Sequence, residues 1–174
     1  PTAVRTADRL VLPGVGAFGD GMAGLKRHGL DEAVRAFAQT ERPLLGICLG
    51  MQLLMSQGTE FGSHDGLGII PGTVIRLDNA GSLKLPHIGW SPLHPAGDGW
   101  SGSVLEMTPS ETPFYFVHSF VPAPAARENI LAQCRYGEQF FCAAVRHGTV
   151  TGCQFHPEKS GTAGLALLNR FLAN

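Results

Sequence analysis

Residues 44–52 read Leu44, Leu45, Gly46, Ile47, Cys48, Leu49, Gly50, Met51, Gln52. The apolar run predicts a buried strand over 43–47. The residues after it, with Leu49, Leu53 and Leu54 on one side, predict a helix over 49–56. Between the two stands G-x-C-x-G. A cysteine that only fills a core needs no glycine two residues away on each side. A cysteine on a sharp strand-to-helix turn does, because a Cβ at 46 or 50 would collide with that turn. This is the nucleophile-elbow pattern with cysteine in place of serine. It sets the sulfur at a helix N-terminus, where partial positive charge favours thiolate over thiol. The competing reading is a buried cysteine at the end of a well-packed strand.

Ahead of this stretch, residues 8–12 form a short apolar strand that ends in the loop Pro13, Gly14, Val15, Gly16. Met22, Leu25, Leu30, Val34 and Phe37 recur at helical spacing over 20–40, with a break near Gly29. The middle is β-rich, with strands expected at 73–77, 86–90, 114–118, 130–136, 140–146 and 149–155 and a hairpin connection at 136–139. Residues 162–172 close the chain as a helix with a stripe of Leu165, Leu168 and Leu172. Residues 57–72 and 91–103 read as Gly/Pro/Ser-rich surface loops. Strand and helix alternating at the front imply an α/β fold with a mostly parallel central sheet, flanked by helices and extended by antiparallel strands. Residues 1–174 read as one domain.

Composition excludes several function classes. The chain has 174 residues, 44% hydrophobic and 16% charged, with a net charge of −1. That suffices for a sizeable core and leaves no basic block for nucleic acid. No apolar run approaches the ~18 residues of a membrane span, and nothing reads as a signal peptide. Cys48, Cys134, Cys142 and Cys153 form no CxxC pair, which points to a reducing, cytoplasmic setting. His28, His64, His87, His94 and His147 match no ligand spacing, so no metal and no cofactor is expected.

A thiolate nucleophile needs a base. In Cys153, Gln154, Phe155, His156, Pro157, Glu158, the histidine ends an apolar strand and a proline stops that strand. Residues just beyond the carboxyl ends of parallel strands gather at one rim, so Cys48 and His156 are expected together. Glu158, two residues on, is placed to accept the imidazole's other N–H and fix its tautomer. Taken singly, His156 reads equally as a rim histidine and Glu158 as a solvated surface acid.

The motifs PGVGAFGDGM at 13–22, GICLGMQLL at 46–54, FYFVHSF at 114–120 and GCQFHPEKS at 152–160 together resemble the class I (triad) glutamine amidotransferases. The PGVG form and the stretch Pro86, His87, Ile88, Gly89, Trp90 are similar to one branch, the glutaminase subunits of imidazole glycerol phosphate synthase in histidine biosynthesis. The resemblance implies hydrolysis of L-glutamine by Cys48, His156 and Glu158. It implies oxyanion donors at Leu49 and in the loop of Val15 and Gly16, whose glycines make a peptide flip cheap. It implies glutamine contacts at Gly14, Gly50 and Gln52 and from the backbone of His118, Ser119 and Phe120. It also implies a (βα)8-barrel cyclase partner over the site, with Trp90, Lys159 and Ser160 at the contact. Family members carry a further strand–helix–strand unit, ~30 residues or more, ahead of the PGVG strand; it is absent from this sequence, which suggests an N-terminally short chain.

Three other readings remain open on the residues. One is a glutaminase subunit of another amidotransferase, of the anthranilate-synthase type, against which the PGVG form and the HIGW stretch speak. Another is a cysteine hydrolase of the dienelactone-hydrolase kind, in which the acid normally precedes the histidine, whereas Glu158 follows His156. The last is an inactive fragment that only binds its partner.

Overall fold

The computed structural model describes residues 1–78, 83–97 and 99–173. Its centre is strand β2 (Leu44–Ile47), whose four residues are all buried. A strand flanked by parallel neighbours with both faces covered reads as a continuous apolar run, and this one does. On one side it pairs in parallel with β1 (Leu10–Leu12), Leu10 opposite Leu44. On the other it pairs in parallel with β11 (Val150–Cys153), Gly46 opposite Gly152 and Ile47 opposite Cys153.

Past β11 the sheet turns antiparallel. It runs β1-β2-β11-β10-β9-β6-β7, adding β10 (Gln139–His147), β9 (Ile130–Tyr136), β6 (His87–Pro95) and β7 (Pro113–His118). The α/β class holds, but the sheet is mixed rather than mostly parallel, because β1, β2 and β11 alone pair in parallel among its described strands. Short reversals cause this: the hairpin closes at Tyr136 and Gln139, with Gly137 at φ +64°.

A second sheet, β4-β3-β5-β8, lies beside the first. Its strands are β3 (Met55–Gly58), β4 (His64–Asp65), β5 (Ile70–Arg76) and β8 (Phe120–Pro124). Four sequence expectations change here. The helix after Cys48, α4 (Leu49–Leu53), stops early. The segment behind it takes its last carbonyls: Leu67 N–H bonds Leu53 O at 2.8 Å, and Ile70 N–H bonds Leu54 O at 3.0 Å. The chain then enters β3. The supposed loop 57–72 carries β4 and parts of β3 and β5, and residues 91–95 of the other continue β6. β8 is hidden in the sequence because it contains Pro122 and Pro124, which a strand tolerates at a sheet edge.

Helices α2 (Phe18–Arg27) and α3 (Leu30–Ala38) are separated at Gly29, φ +61°, as the spacing predicts; a short helix, α1 (Thr2–Thr6), precedes them. The last helix, α5 (Gly161–Ala173), presents a different face from the one expected. It buries Gly164, Leu167 and Phe171, while Leu165 and Leu172 are exposed. Gly164 decides this: a Cβ there would lie 1.9 Å from Pro157 O, so that face packs closely on the 3₁₀ turn Pro157–Lys159. Beneath α5 an aromatic cluster fills the core. Phe114 and Phe155 lie 4.4 Å apart by ring centroid, with Phe116 at 5.7 Å from Phe155.

Two glycines carry the turn at Cys48. A Cβ at Gly46 would meet Met51 N at 2.8 Å, and one at Gly50 would lie 1.7 Å from Leu12 O. The collision at 46 is with the turn itself; that at 50 is with the neighbouring strand. Gly50→Ala is therefore expected to cost about 3 kcal/mol or more of stability. Gly24→Ala, inside α2 with nothing within 4 Å of the new carbon, is expected to gain ~0.5–1 kcal/mol. Thermal melting of the two variants checks both signs.

Candidate active site

Cys48 sits at φ +53°, ψ −111°. A non-glycine residue there is strained by roughly 1–3 kcal/mol, and the surroundings hold it in place. Its N–H donates to Cys153 O at 2.8 Å, tying the end of β2 to the end of β11. The strain turns the sulfur into a cavity of about 520 Å³ between the two sheets. Val15, Gly16, Leu49, Gln52, Glu60, Val117, Ser119 and His156 are among its walls.

His156 is reached by three more residues of chain beyond Cys153. Its N–H donates to Tyr115 O at 2.9 Å. Its Nδ1 lies 2.7 Å from Glu158 Oε1. A carboxylate accepts, so Nδ1 carries a hydrogen and donates it; in the neutral ring that leaves the lone pair on Nε2. That Nε2 is buried and has no hydrogen-bond partner among the described residues, an exception among buried polar atoms that marks a group waiting for a partner. Glu158 is positioned by the 3₁₀ turn Pro157–Lys159, and its side chain is 47% exposed.

The sulfur's charge state departs from expectation. Burial pushes the Cys48 thiol up, and the carboxylate of Glu158 adds to this; the Leu49 N–H, the Gln154 amide and Lys159 pull the other way and do not offset it. A single turn and a half of helix cannot outweigh removal of the thiolate from water, so the resting group is the thiol. The other cysteines are raised by burial too. It lifts Cys134 and Cys142 to about 12, and Cys153 well above its ordinary value.

The remaining expected residues divide. Val15 is 81% exposed at the mouth and Gly16 follows at φ +95°. Gly14 and Gly50 lie behind the wall rather than on it, packed against Leu49 and the Leu12 carbonyl. Gln52 is buried, its amide nitrogen donating to Phe120 O and to Gln154 Oε1, both at 3.0 Å. His118 is buried against His87, with Nε2 3.1 Å from His87 Nδ1 and its own Nδ1 3.1 Å from Phe120 O. Trp90 stands exposed, its ring edge-on to Tyr115 at 6.1 Å. Lys159 lies exposed at the cavity mouth. Ser160 is corrected: it is buried, donating to His156 O at 2.6 Å and accepting the Tyr115 N–H at 3.0 Å. It braces the histidine and presents nothing to a partner.

Three residues of the site are not apparent from the sequence. Glu60 lines the cavity and caps α2, its Oε2 accepting the Phe18 N–H at 2.9 Å; its stretch reads as a plain loop. Gln154 is fully buried between Gln52 and Cys48. Its signal was a polar residue inside an apolar strand, two before His156 and so on the same face. His87 carried no signal beyond its place in the HIGW stretch.

The chain matches the family described as glutamine amidotransferase class-I over residues 3–174. It is 45% identical to imidazole glycerol phosphate synthase subunit HisH 1 of Legionella pneumophila, over 99% of this chain and 84% of that protein. It is 44% identical to imidazole glycerol phosphate synthase hisHF, chloroplastic, of Arabidopsis thaliana, over 99% of this chain and 28% of that one. Among solved structures, a crystal structure of a glutamine amidotransferase superposes with a TM-score of 0.67 at 23% identity, covering 95% of this chain and 78% of the other. PurLQS from Thermotoga maritima gives 0.67 at 18% identity, over 95% and 79%. The chain therefore belongs to the class-I glutamine amidotransferases.

Proposed function

We propose that this chain is the glutaminase subunit of imidazole glycerol phosphate synthase, acting in histidine biosynthesis through Cys48, His156 and Glu158. The observation that carries the mechanism is the buried, unpartnered Nε2 of His156 in the cavity that also holds the Cys48 sulfur.

The geometry supports one sequence of proton movements. Glutamine enters the cavity and displaces water. Nε2 takes the thiol proton as sulfur bonds to the side-chain amide carbon, so charge separates only as the bond forms. The carbonyl oxygen becomes an oxyanion, with the Leu49 N–H and an amide of the Val15–Gly16 loop as donors; losing one such donor typically costs ~10²–10³ in rate. His156 then passes its proton to the departing nitrogen, and ammonia leaves. A water gives its proton to Nε2 and attacks the thioester; glutamate is released as the electron pair of the C–S bond returns to sulfur, and Nε2 then gives that proton to sulfur and restores the thiol. The Glu158 carboxylate holds the ring throughout and offsets its positive charge. The Glu60 carboxylate in the wall suits the substrate's α-ammonium, and the amide of Gln52 its polar end.

Ammonia released into water is protonated and lost as a nucleophile. It is handed instead to a (βα)8-barrel cyclase subunit in a heterodimer, where it completes a lyase reaction yielding imidazole glycerol phosphate and AICAR. Val15, Phe61, Ile88 and Trp90 are exposed apolar side chains, and the first two border the cavity. Large aromatics anchor interfaces, and Lys159 adds a cation at the mouth. The four free cysteines suit a reducing compartment, the cytoplasm.

Three outcomes test this. A glutamine-analogue electrophile should label Cys48 alone among the four cysteines on brief exposure; peptide mapping that finds another cysteine dominant ends the assignment. His156→Ala should abolish turnover, while Glu158→Gln should lower it by less than the ~10⁴ that a fully buried triad carboxylate commands, since Glu158 is half-exposed. Unchanged turnover in Glu158→Gln returns that residue to the surface. Trp90→Ala should weaken binding of the cyclase subunit by about 2 kcal/mol or more without moving the melting temperature, and titration of the two subunits measures it.

A further inference from the structure

Gln154 has no exposed surface, and the triad chemistry does not call for an amide at its position. Its side chain nevertheless reaches the reacting sulfur, with Nε2 3.7 Å from Cys48 Sγ. We infer that Gln154 is a catalytic donor: its side-chain N–H holds the Cys48 sulfur and favours the thiolate, in an orientation imposed by the backbone carbonyl of Phe120. The inference rests on Cys48 being the nucleophile.

The orientation follows from one group that can only accept. Phe120 O receives the Gln52 amide at 3.0 Å and the ring N–H of His118 at 3.1 Å. A carbonyl has no hydrogen to give, so the NH2 of Gln52 must face it. The second hydrogen of that NH2 points to Gln154 Oε1 at 3.0 Å. The carbonyl end of Gln154 is thereby committed, and its NH2 is turned to the sulfur. Flipping Gln154 would set NH2 against NH2 and oxygen against sulfur. The far end is fixed in the same way. His118 donates from Nδ1, so its Nε2 accepts from His87 Nδ1 at 3.1 Å, and His87 Nε2 accepts from Ser91 Oγ at 3.0 Å. Burial holds His118 down to about 3, so the chain stays neutral and its directions are kept.

The Leu49 N–H also supports the thiolate. Once the tetrahedral oxyanion forms, that N–H is wanted by oxygen, and Gln154 is left facing sulfur. Its N–H bonds a thiolate more strongly than a thioester sulfur. It therefore helps when the C–S bond breaks and the electron pair returns to Cys48.

The test is the pH dependence of Cys48 alkylation by iodoacetamide, followed by peptide mapping, in wild type and in Gln154→Met, which keeps volume and removes the donor. An N–H donor lowers the thiol's pKa, so its loss should move the alkylation profile up by about one pH unit. Gln154→Glu, an acceptor only, should move it at least as far. An unmoved profile in a variant that melts like wild type reduces Gln154 to packing and overturns the inference. Labelling that does not favour Cys48 overturns the nucleophile assignment instead. If neither variant folds, the wild-type protein answers: the side-chain amide resonance of Gln154 should titrate together with Cys48 and lose that titration once Cys48 is alkylated. An amide that ignores the state of Cys48 is equally fatal.

Discussion

The hydrogen bond from Cys48 N–H to Cys153 O, 2.8 Å long, fastens the ends of two parallel strands in register, and the site exists because of it. Parallel pairing of Gly46 with Gly152 and of Ile47 with Cys153 brings both chains to the rim at the same height. One then turns sharply into α4, while the other continues to His156. A shift of one residue in this register would turn every side chain of β11 to the opposite face and carry the chain that follows it out of line with Cys48. Two glycines permit the arrangement: Gly50 lies where any Cβ would strike Leu12 O, and Gly152 lies where one would be 2.6 Å from Met51 Cγ. Close packing of α4 on β1 and β11 is thus the condition for the strained backbone at Cys48.

Burial and charge oppose each other in this site, and burial prevails at rest. The sulfur, His156 and Gln154 are withdrawn from water, so an isolated thiolate is disfavoured despite the donors around it. The same withdrawal strengthens each donor once charge develops. A protein that kept a full thiolate at so buried a sulfur would need a cation against it. Here the cationic side chain among the thiol's influences, Lys159, is the smallest of them. In the proposed mechanism the nucleophile forms in the act of attack, with Nε2 of His156 as the proton's destination.

Much of this was legible in the sequence, for reasons that differ by residue. Cys48 and His156 were readable because parallel strands send their carboxyl ends to one rim, a rule of topology that needs no side-chain detail. Glu158 taken singly reads equally as a surface acid; its spacing only allows the contact with His156 Nδ1 that the structure has. Gln154 was not readable as part of the site, because an amide inside an apolar strand looks like an interruption until its neighbours are known. The face of α5 was misread because 165, 168, 172 and 164, 167, 171 are adjacent stripes, and a contact between Gly164 and Pro157 O chose between them. The second sheet was hidden by strands as short as two residues and by the prolines of β8. Ser160 looked like a rim residue by position, yet it spends both hydrogen-bonding roles inside the fold.

Strand β6 shows how one element can serve the surface and the sulfur together. Alternation along a strand sends neighbouring side chains to opposite faces. Ile88 and Trp90 accordingly stand exposed, while His87 and Ser91 share the other face and bond each other. Pairing of His87 with His118 across β6 and β7 places the two imidazoles edge to face, 5.1 Å apart. His118 in turn shares the Phe120 carbonyl with Gln52. The position of that carbonyl therefore depends on the register of a strand whose other face is the exposed apolar patch. Two neutral imidazoles suit this place better than aliphatic side chains would, because each supplies one donor and one acceptor. An apolar pair would leave Ser91 without this partner and Phe120 O with one donor fewer.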